Sequence, residues 1–233
     1  GESVRDMGNM KFDQTAEWSA GSVMDAAALR QAWGYTPEDR VWIAGSTHPG
    51  EEETLVGAYK ALHGRFPTLK LILAPRHIER SAGLLRQLEK LGFSMVLSSK
   101  QKEGSGPEGQ WIAPEVQILD QLGILKNLYS IADLVFMGGS LVPHGGQNPI
   151  EPARFNKAVI HGPHVFNFHQ IYHQLDQGGG ALRISVPDEL SSAAAELLAN
   201  ESKRREMGQK AFQIVNRLRG ASKRQAGWIL TFL

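Results

Sequence analysis

The 233 residues carry 25 Lys plus Arg against 24 Asp plus Glu, a formal charge of +1, with 42% hydrophobic and 21% charged residues. This ordinary globular usage excludes a disordered chain, and the near-neutral balance removes the electrostatic case for nucleic-acid duplex binding. The absence of Cys excludes disulfides, Cys-ligated zinc or iron–sulfur sites and a thiol nucleophile.

At about 150 residues per domain, the length fits one large α/β domain with an appendage better than two separate cores. The chain opens Gly1-Glu2-Ser3 and has neither a signal-type apolar segment in residues 1–10 nor a run of about 18 apolar residues. It reads as a soluble fragment. Its first 20 residues read like the end of something already under way.

Short apolar runs then alternate with amphipathic stretches, the pattern of βα units on a parallel sheet. Residues 41–44 (VWIA) predict a strand, 46–50 a turn and 51–66 a helix whose Glu51, Glu52 and Glu53 suit its N-terminal dipole. A second strand covers 69–74 and stops at Pro75, before a helix marked by Leu84, Leu85, Leu88 and Leu91. A third strand, 94–97, leads into the polar stretch 98–110, read as a flexible loop. Strands follow at 116–119 and 134–137 with a helix around 122–131 between them, and the second ends at Gly138-Gly139-Ser140. Beyond a Gly/Pro-rich loop come a helix near 150–156, a strand at 158–161, a helix near 166–177 and a strand at 182–185. Residues 187–233 read as helical with a break at Gly220. The sum is a doubly wound, mostly parallel Rossmann-like sheet, and such sheets bind ligands beyond the carboxyl ends of their strands.

Three segments fall on that edge: Ser46-Thr47-His48, Pro75-Arg76-His77 and Gly138-Gly139-Ser140. Amides at Gly138 and Gly139 are free of Cβ and Ser140 adds a hydroxyl, so this loop is either a phosphate cradle or a tight turn needing glycine for its dihedrals. Neither GxGxxG nor GxxxxGK[ST] is present, against a dinucleotide oxidoreductase or P-loop NTPase. Asn148 can cap the helix near 150, with Glu151 three residues on as in a capping box, although Pro152 sits uneasily there. Alternatively, Glu151 accepts the hydroxyls of a ribose. Arg76 can fork two hydrogen bonds onto a phosphate or carboxylate, or join a surface ion pair. His161, His164, His169 and His173 cluster in sequence, but without HExxH or a clear third ligand they predict no metal site.

Taken in order, Gly138 to Pro143, Gly145 to Ala153 and Gly162 to Phe168 closely resemble the 3-deoxy-D-manno-octulosonic acid (Kdo) transferases of lipopolysaccharide synthesis. Gly8 to Asp13, Ser46-Thr47-His48 with Gly50 to Glu53, and Ala74 to His77 with Glu79-Arg80 agree. Gln147 and Ile78 depart from the family's usual His and Pro. The resemblance covers only that family's C-terminal half and implies one half of a GT-B glycosyltransferase, with residues 1–20 an interdomain segment, 21–220 a CMP-sugar-binding Rossmann-like domain and 221–233 a C-terminal helix. It implies that Gly138, Gly139 and Ser140 meet the phosphate of CMP-Kdo, that Arg76 neutralises it or the Kdo carboxylate, and that Asn148 and Glu151 hold the ribose and phosphate region. An inverting transfer to a lipid A precursor then follows, with no cofactor. The general base, acceptor site and membrane anchor would come from an N-terminal half at the cytoplasmic face of the inner membrane, leaving this fragment inactive alone. The competing reading is a stand-alone nucleotide-binding module or sugar-nucleotide epimerase.

Overall fold

The computed structural model describes residues 25–103, 113–218 and 221–230. The segment 1–20, the centre of the polar stretch and Gly220 lie outside or largely outside these residues. Seven strands form one sheet: β1 (Arg40–Thr47), β2 (Leu69–Pro75), β3 (Met95–Leu97), β4 (Val116–Ile118), β5 (Leu134–Met137), β6 (Val159–His161) and β7 (Ala181–Arg183). Their order is β3-β4-β2-β1-β5-β6-β7, and every pairing is parallel.

Both faces are covered, which is why the strands read as continuous apolar runs rather than alternating ones. Val41 and Ile43 point into one core with Leu29, Ile171, Tyr172, Ala211 and Val215. Trp42 and Ala44 point into the other with Leu55, Tyr59, Leu84, Leu190 and Leu197. Helices α1 (Ala26–Ala32), α4 (Leu125–Leu128), α5 (Ile150–Ala153), α6 (His169–Gln177) and α8 (Glu201–Leu218) therefore cover the first face. The second is covered by α2 (Glu51–His63), α3 (Ser81–Leu88) and α7 (Glu189–Ala199), while α9 (Ala221–Ile229) ends the described chain.

All seven sequence-predicted strands are present, within three residues at each end. The helices depart more. The first, α1, precedes every predicted element, and α2 stops at His63 ahead of Gly64 and Pro67. The polar stretch begins with a 3-10 segment at Ser98–Glu103, where Ser98 and Ser99 hydroxyls donate to Asp120 at 2.8 and 2.6 Å. The region after residue 187 breaks at Asn200, whose backbone leaves the helix while its Oδ1 accepts from Lys203 N–H at 2.9 Å and so caps α8.

Strand order reverses between β1 and β5: β2, β4 and β3 lie to one side, β6 and β7 to the other. Loops leaving β1 and β5 consequently diverge, opening the crevice in which sheets of this type take their ligands.

Candidate functional site

At the end of β1 the ladder to β2 shifts register between Gly45 and Thr47, and Ser46 takes a positive φ of 54°. This bulge turns His48 and the start of α2 toward the loop that leaves β5. On the other side Gly138 N–H returns to Gly45 O at 2.8 Å. A Cβ at Gly138 would lie 2.3 Å from Ser46 O, so only glycine permits this approach.

Glu51 occupies the heart of the site. It is fully buried, and its two carboxylate oxygens accept four backbone N–H groups: His48 at 2.9 Å and Gly139 at 2.7 Å on Oε2, Ser140 and Leu141 at 3.0 Å each on Oε1. Gly139, with φ 67°, presents its N–H in a left-handed conformation suited to such a nest. The glycine loop is thus an anion cradle whose anion is a side chain of the protein. Those amides of Gly139 and Ser140 are committed to Glu51 rather than free for a phosphate. Burial raises the Glu51 pKa, and the four N–H bonds offset that rise only in part.

Ser140 is equally committed. Its Oγ donates to Met137 O at 2.5 Å and accepts from Gly162 N–H at 2.8 Å, tying the ends of β5 and β6 together. The rest of the loop is stapled in place: Gly146 N–H to Gly139 O at 2.7 Å, Tyr172 Oη to Gln147 O at 2.8 Å, and Asn167 Nδ2 to His144 O at 2.7 Å. The structure therefore gives the Gly138-Gly139-Ser140 run the work of shaping and fixing the crevice.

Groups that can meet a ligand surround this frame. Arg76 is exposed beyond β2, its N–H bonded to Thr47 O at 2.9 Å. Its guanidinium has no ion pair among the described residues, whereas Arg80 pairs with the buried Glu52 at 3.0 Å. Asn148 Oδ1 accepts from Ile150 N–H at 3.1 Å, turning the chain into a helix whose cap position falls to Pro149, one residue later than the sequence placed it. The same side chain also bonds to Glu151. Burial raises the Glu151 pKa, against the Asn148 hydrogen bond and the nearby charges of Lys126 and Arg76. Asn148, Glu151 and Arg76 thus form one electrostatic neighbourhood, although 72 residues separate Arg76 from Asn148 (148 − 76).

Sequence reasoning singled out the His48 loop but assigned its imidazole no role, and it missed His144 altogether. The His48 ring stacks on His144 with centroids 4.1 Å apart, meets His77 edge-on at 6.2 Å, and lies 3.2 Å from the Gln147 amide nitrogen. Burial, with the neighbouring charges of His144, His77, Arg80 and Arg76, lowers its pKa to about 4. His48 is therefore neutral near pH 7, and its Nε2 can accept from the Gln147 amide. Its signals were the HPG turn after β1 and Gln147 itself. Among the other histidines, His161 Nε2 pairs with Asp176 at 2.8 Å, while His169 and His173 stack on the exposed side of α6. Among the described residues no three His, Asp or Glu side chains are placed to hold a metal.

The C-terminal CMP-Kdo-binding domain of WaaA from Acinetobacter baumannii superposes with a TM-score of 0.71 at 25% identity, covering 89% of this chain and 99% of that domain. Anabaena HepE in complex with UDP and glucose superposes at 0.62 with 18% identity, over 89% of this chain and 52% of HepE, a likeness of fold. An all-parallel sheet with a stapled glycine loop at its switch point, matched in this way, is the C-terminal half of a GT-B glycosyltransferase. The 3-deoxy-D-manno-octulosonic acid transferase of Haemophilus influenzae is 35% identical over 225 residues, 96% of this chain and 50% of that protein. The chain belongs to the Kdo transferase family. It spans about half the length of the curated relatives it matches. No protein-family model matches the chain.

Proposed function

We propose that this chain is the donor-binding half of an inverting glycosyltransferase that moves Kdo from CMP-Kdo to a lipid A precursor. The observation that carries the reading is the convergence of Arg76, Asn148 and a half-buried, charge-flanked Glu151 beside the rigid Glu51-filled loop at the β1/β5 switch point. The family's transferase names and the CMP-Kdo binding stated for the Acinetobacter domain support it over a free-standing binding module or an epimerase.

In this proposal Glu151 accepts the ribose hydroxyls and Asn148 orients it. Arg76 faces the phosphate and counters the charge that grows on CMP as the bond to Kdo breaks. Gly138, Gly139 and Ser140 supply shape: their glycines admit the close approach, and Glu51 keeps the loop from collapsing into the crevice. The acceptor site, the general base and the attachment to the inner membrane belong to the remaining length of the relatives. The 233 residues alone then bind CMP without transferring Kdo.

Calorimetric titration with CMP, in excess chelator and against UMP and AMP, tests the donor reading. Binding of CMP that survives the chelator and exceeds the other two is expected, because a single phosphate needs no bridging cation. No CMP binding at millimolar concentration, or equal binding of all three, overturns it. Incubation with CMP-Kdo and a lipid A precursor tests the division of labour, and turnover by this chain alone refutes it.

A further inference from the structure

A second polar cavity lies on the opposite edge of the sheet, where the amino ends of β5 and β6 meet the first turns of α8. It measures about 210 Å³ and is lined by Asp133, Asn156, Lys157, Glu201, Arg204 and Arg205 among others. At about 30 Å³ per water in the liquid, it has room for a tetrahedral oxyanion with a small organic group attached.

The charges in it do not cancel. Asp133 accepts Val41 N–H at 2.8 Å and lies 3.5 Å from Arg30 and 3.8 Å from Arg204. Arg204, itself buried, spends further donors on the carbonyls of Leu197 and Leu198 at 2.7 and 3.3 Å. Glu201 pairs with Arg205 at 2.5 Å. Lys157 remains. Its ammonium has no ion pair or hydrogen bond among the described residues; burial, opposed by the charge of Asp133 and reinforced by Arg30 and Arg204, holds its pKa down at about 8.

The backbone around it is fixed. Asn156 adopts φ 56°, a conformation few side chains other than asparagine tolerate. Gly208 of α8 packs so closely on it that a Cβ there would lie 1.9 Å from Asn156 O. Helix α8 is thereby seated directly on the 156–157 backbone, and it carries Arg204 and Arg205 to the same cavity. Lys157 is half-buried, with no carboxylate within ion-pair distance among the described residues.

We propose that this cavity is an anion site for a phosphate or phosphomonoester, with Lys157 as its central contact and Arg205 closing over it from the rim. The anion completes the charge balance that Asp133 and Glu201 leave unfinished, and it binds away from the donor crevice.

The test is titration of the 233-residue chain with inorganic phosphate, followed by amide NMR shifts and by thermal melting, in the wild type and in Lys157→Met, Lys157→Arg and Arg76→Ala. Phosphate is expected to shift the amides around Ala132, Asn156 and Ala158 and to raise the melting temperature of the wild type, Lys157→Arg and Arg76→Ala. Lys157→Met should melt no lower than the wild type without phosphate, since it removes an unpaired, half-buried charge, and should bind phosphate at least tenfold more weakly. Sedimentation with vesicles containing phosphatidic acid, whose headgroup is a phosphomonoester, separates the two sources. Co-sedimentation abolished by Lys157→Met identifies a lipid headgroup, and soluble phosphate binding without it identifies a free metabolite. Phosphate binding that is absent, or equal in the wild type and Lys157→Met, together with no Lys157-dependent vesicle binding, overturns the proposal. Retention in Arg76→Ala keeps the result independent of the donor reading.

Discussion

Glu51→Gln puts the carboxylate-filled cradle to a direct test. Glutamine has the same shape and keeps one oxygen, which can still accept two of the four N–H groups that converge on Glu51. At the other position an NH2 group faces two backbone N–H donors, so donors oppose donors in a fully buried place. Each buried N–H left without an acceptor costs about 1–3 kcal/mol, giving roughly 2–6 kcal/mol for the pair. Against a typical total of about 5–15 kcal/mol that loss is large, and for a chain of this size it lowers the melting temperature by at least about 4 °C. Glu51→Ala removes all four acceptors but opens a space bounded by N–H groups, and a small external carboxylate such as formate can enter it. Urea and thermal denaturation of both variants, with and without excess formate, is the assay. Formate is expected to restore part of the stability of Glu51→Ala and none of that of Glu51→Gln. If Glu51→Gln melts with the wild type, Glu51 is an ordinary first-turn glutamate and the cradle argument fails.

Four further outcomes follow from the same geometry. Arg76→Ala should weaken CMP binding at least tenfold while changing stability by less than about 0.5 kcal/mol, because its exposed guanidinium holds nothing in the fold; calorimetry and melting on one sample decide this. Glu151→Gln should reduce CMP affinity by about 1.5–3 kcal/mol with little effect on melting, and unchanged affinity would leave Glu151 a capping residue only. Gly138→Ala should cost about 3 kcal/mol or more in urea unfolding, since its Cβ would strike backbone at 2.3 Å, whereas Gly139→Ala meets its nearest atom at 3.3 Å and should cost less. With its pKa lowered from 6.5 to about 4, His48 takes a proton in the unfolded chain before the folded one, so stability should fall as pH drops through that window. His48→Gln should flatten that slope, and a wild-type profile level between pH 6.5 and 4 would refute the burial of a neutral ring.

The strands of this protein were legible in its sequence because a parallel sheet covered on both faces needs unbroken apolar segments, and residues 41–44, 69–74 and 134–137 have no other plausible use. The carboxyl-edge loops were legible for the same reason, since each follows a recognisable strand. The turn at Asn148 was equally local, a side chain reaching two residues along its own backbone, although the cap position itself falls to Pro149. The break at Asn200 was missed although it too is a local cap, because neighbouring apolar positions on both sides kept the helical period. The role of Glu51 was of another kind. Read locally, it is an acidic residue in a helix's first turn; folded, it crosses 88 residues of sequence to hold Gly139. That contact exists because the sheet places β1 beside β5, a pairing of segments about ninety residues apart that no local pattern encodes. Tertiary structure likewise decided that the glycine amides hold a resident carboxylate, that His48 lies neutral against His144, and that Lys157 stands unpaired beneath α8. In each case the determining quantity is burial, which belongs to the packed sheet and its two helical layers rather than to any stretch of chain.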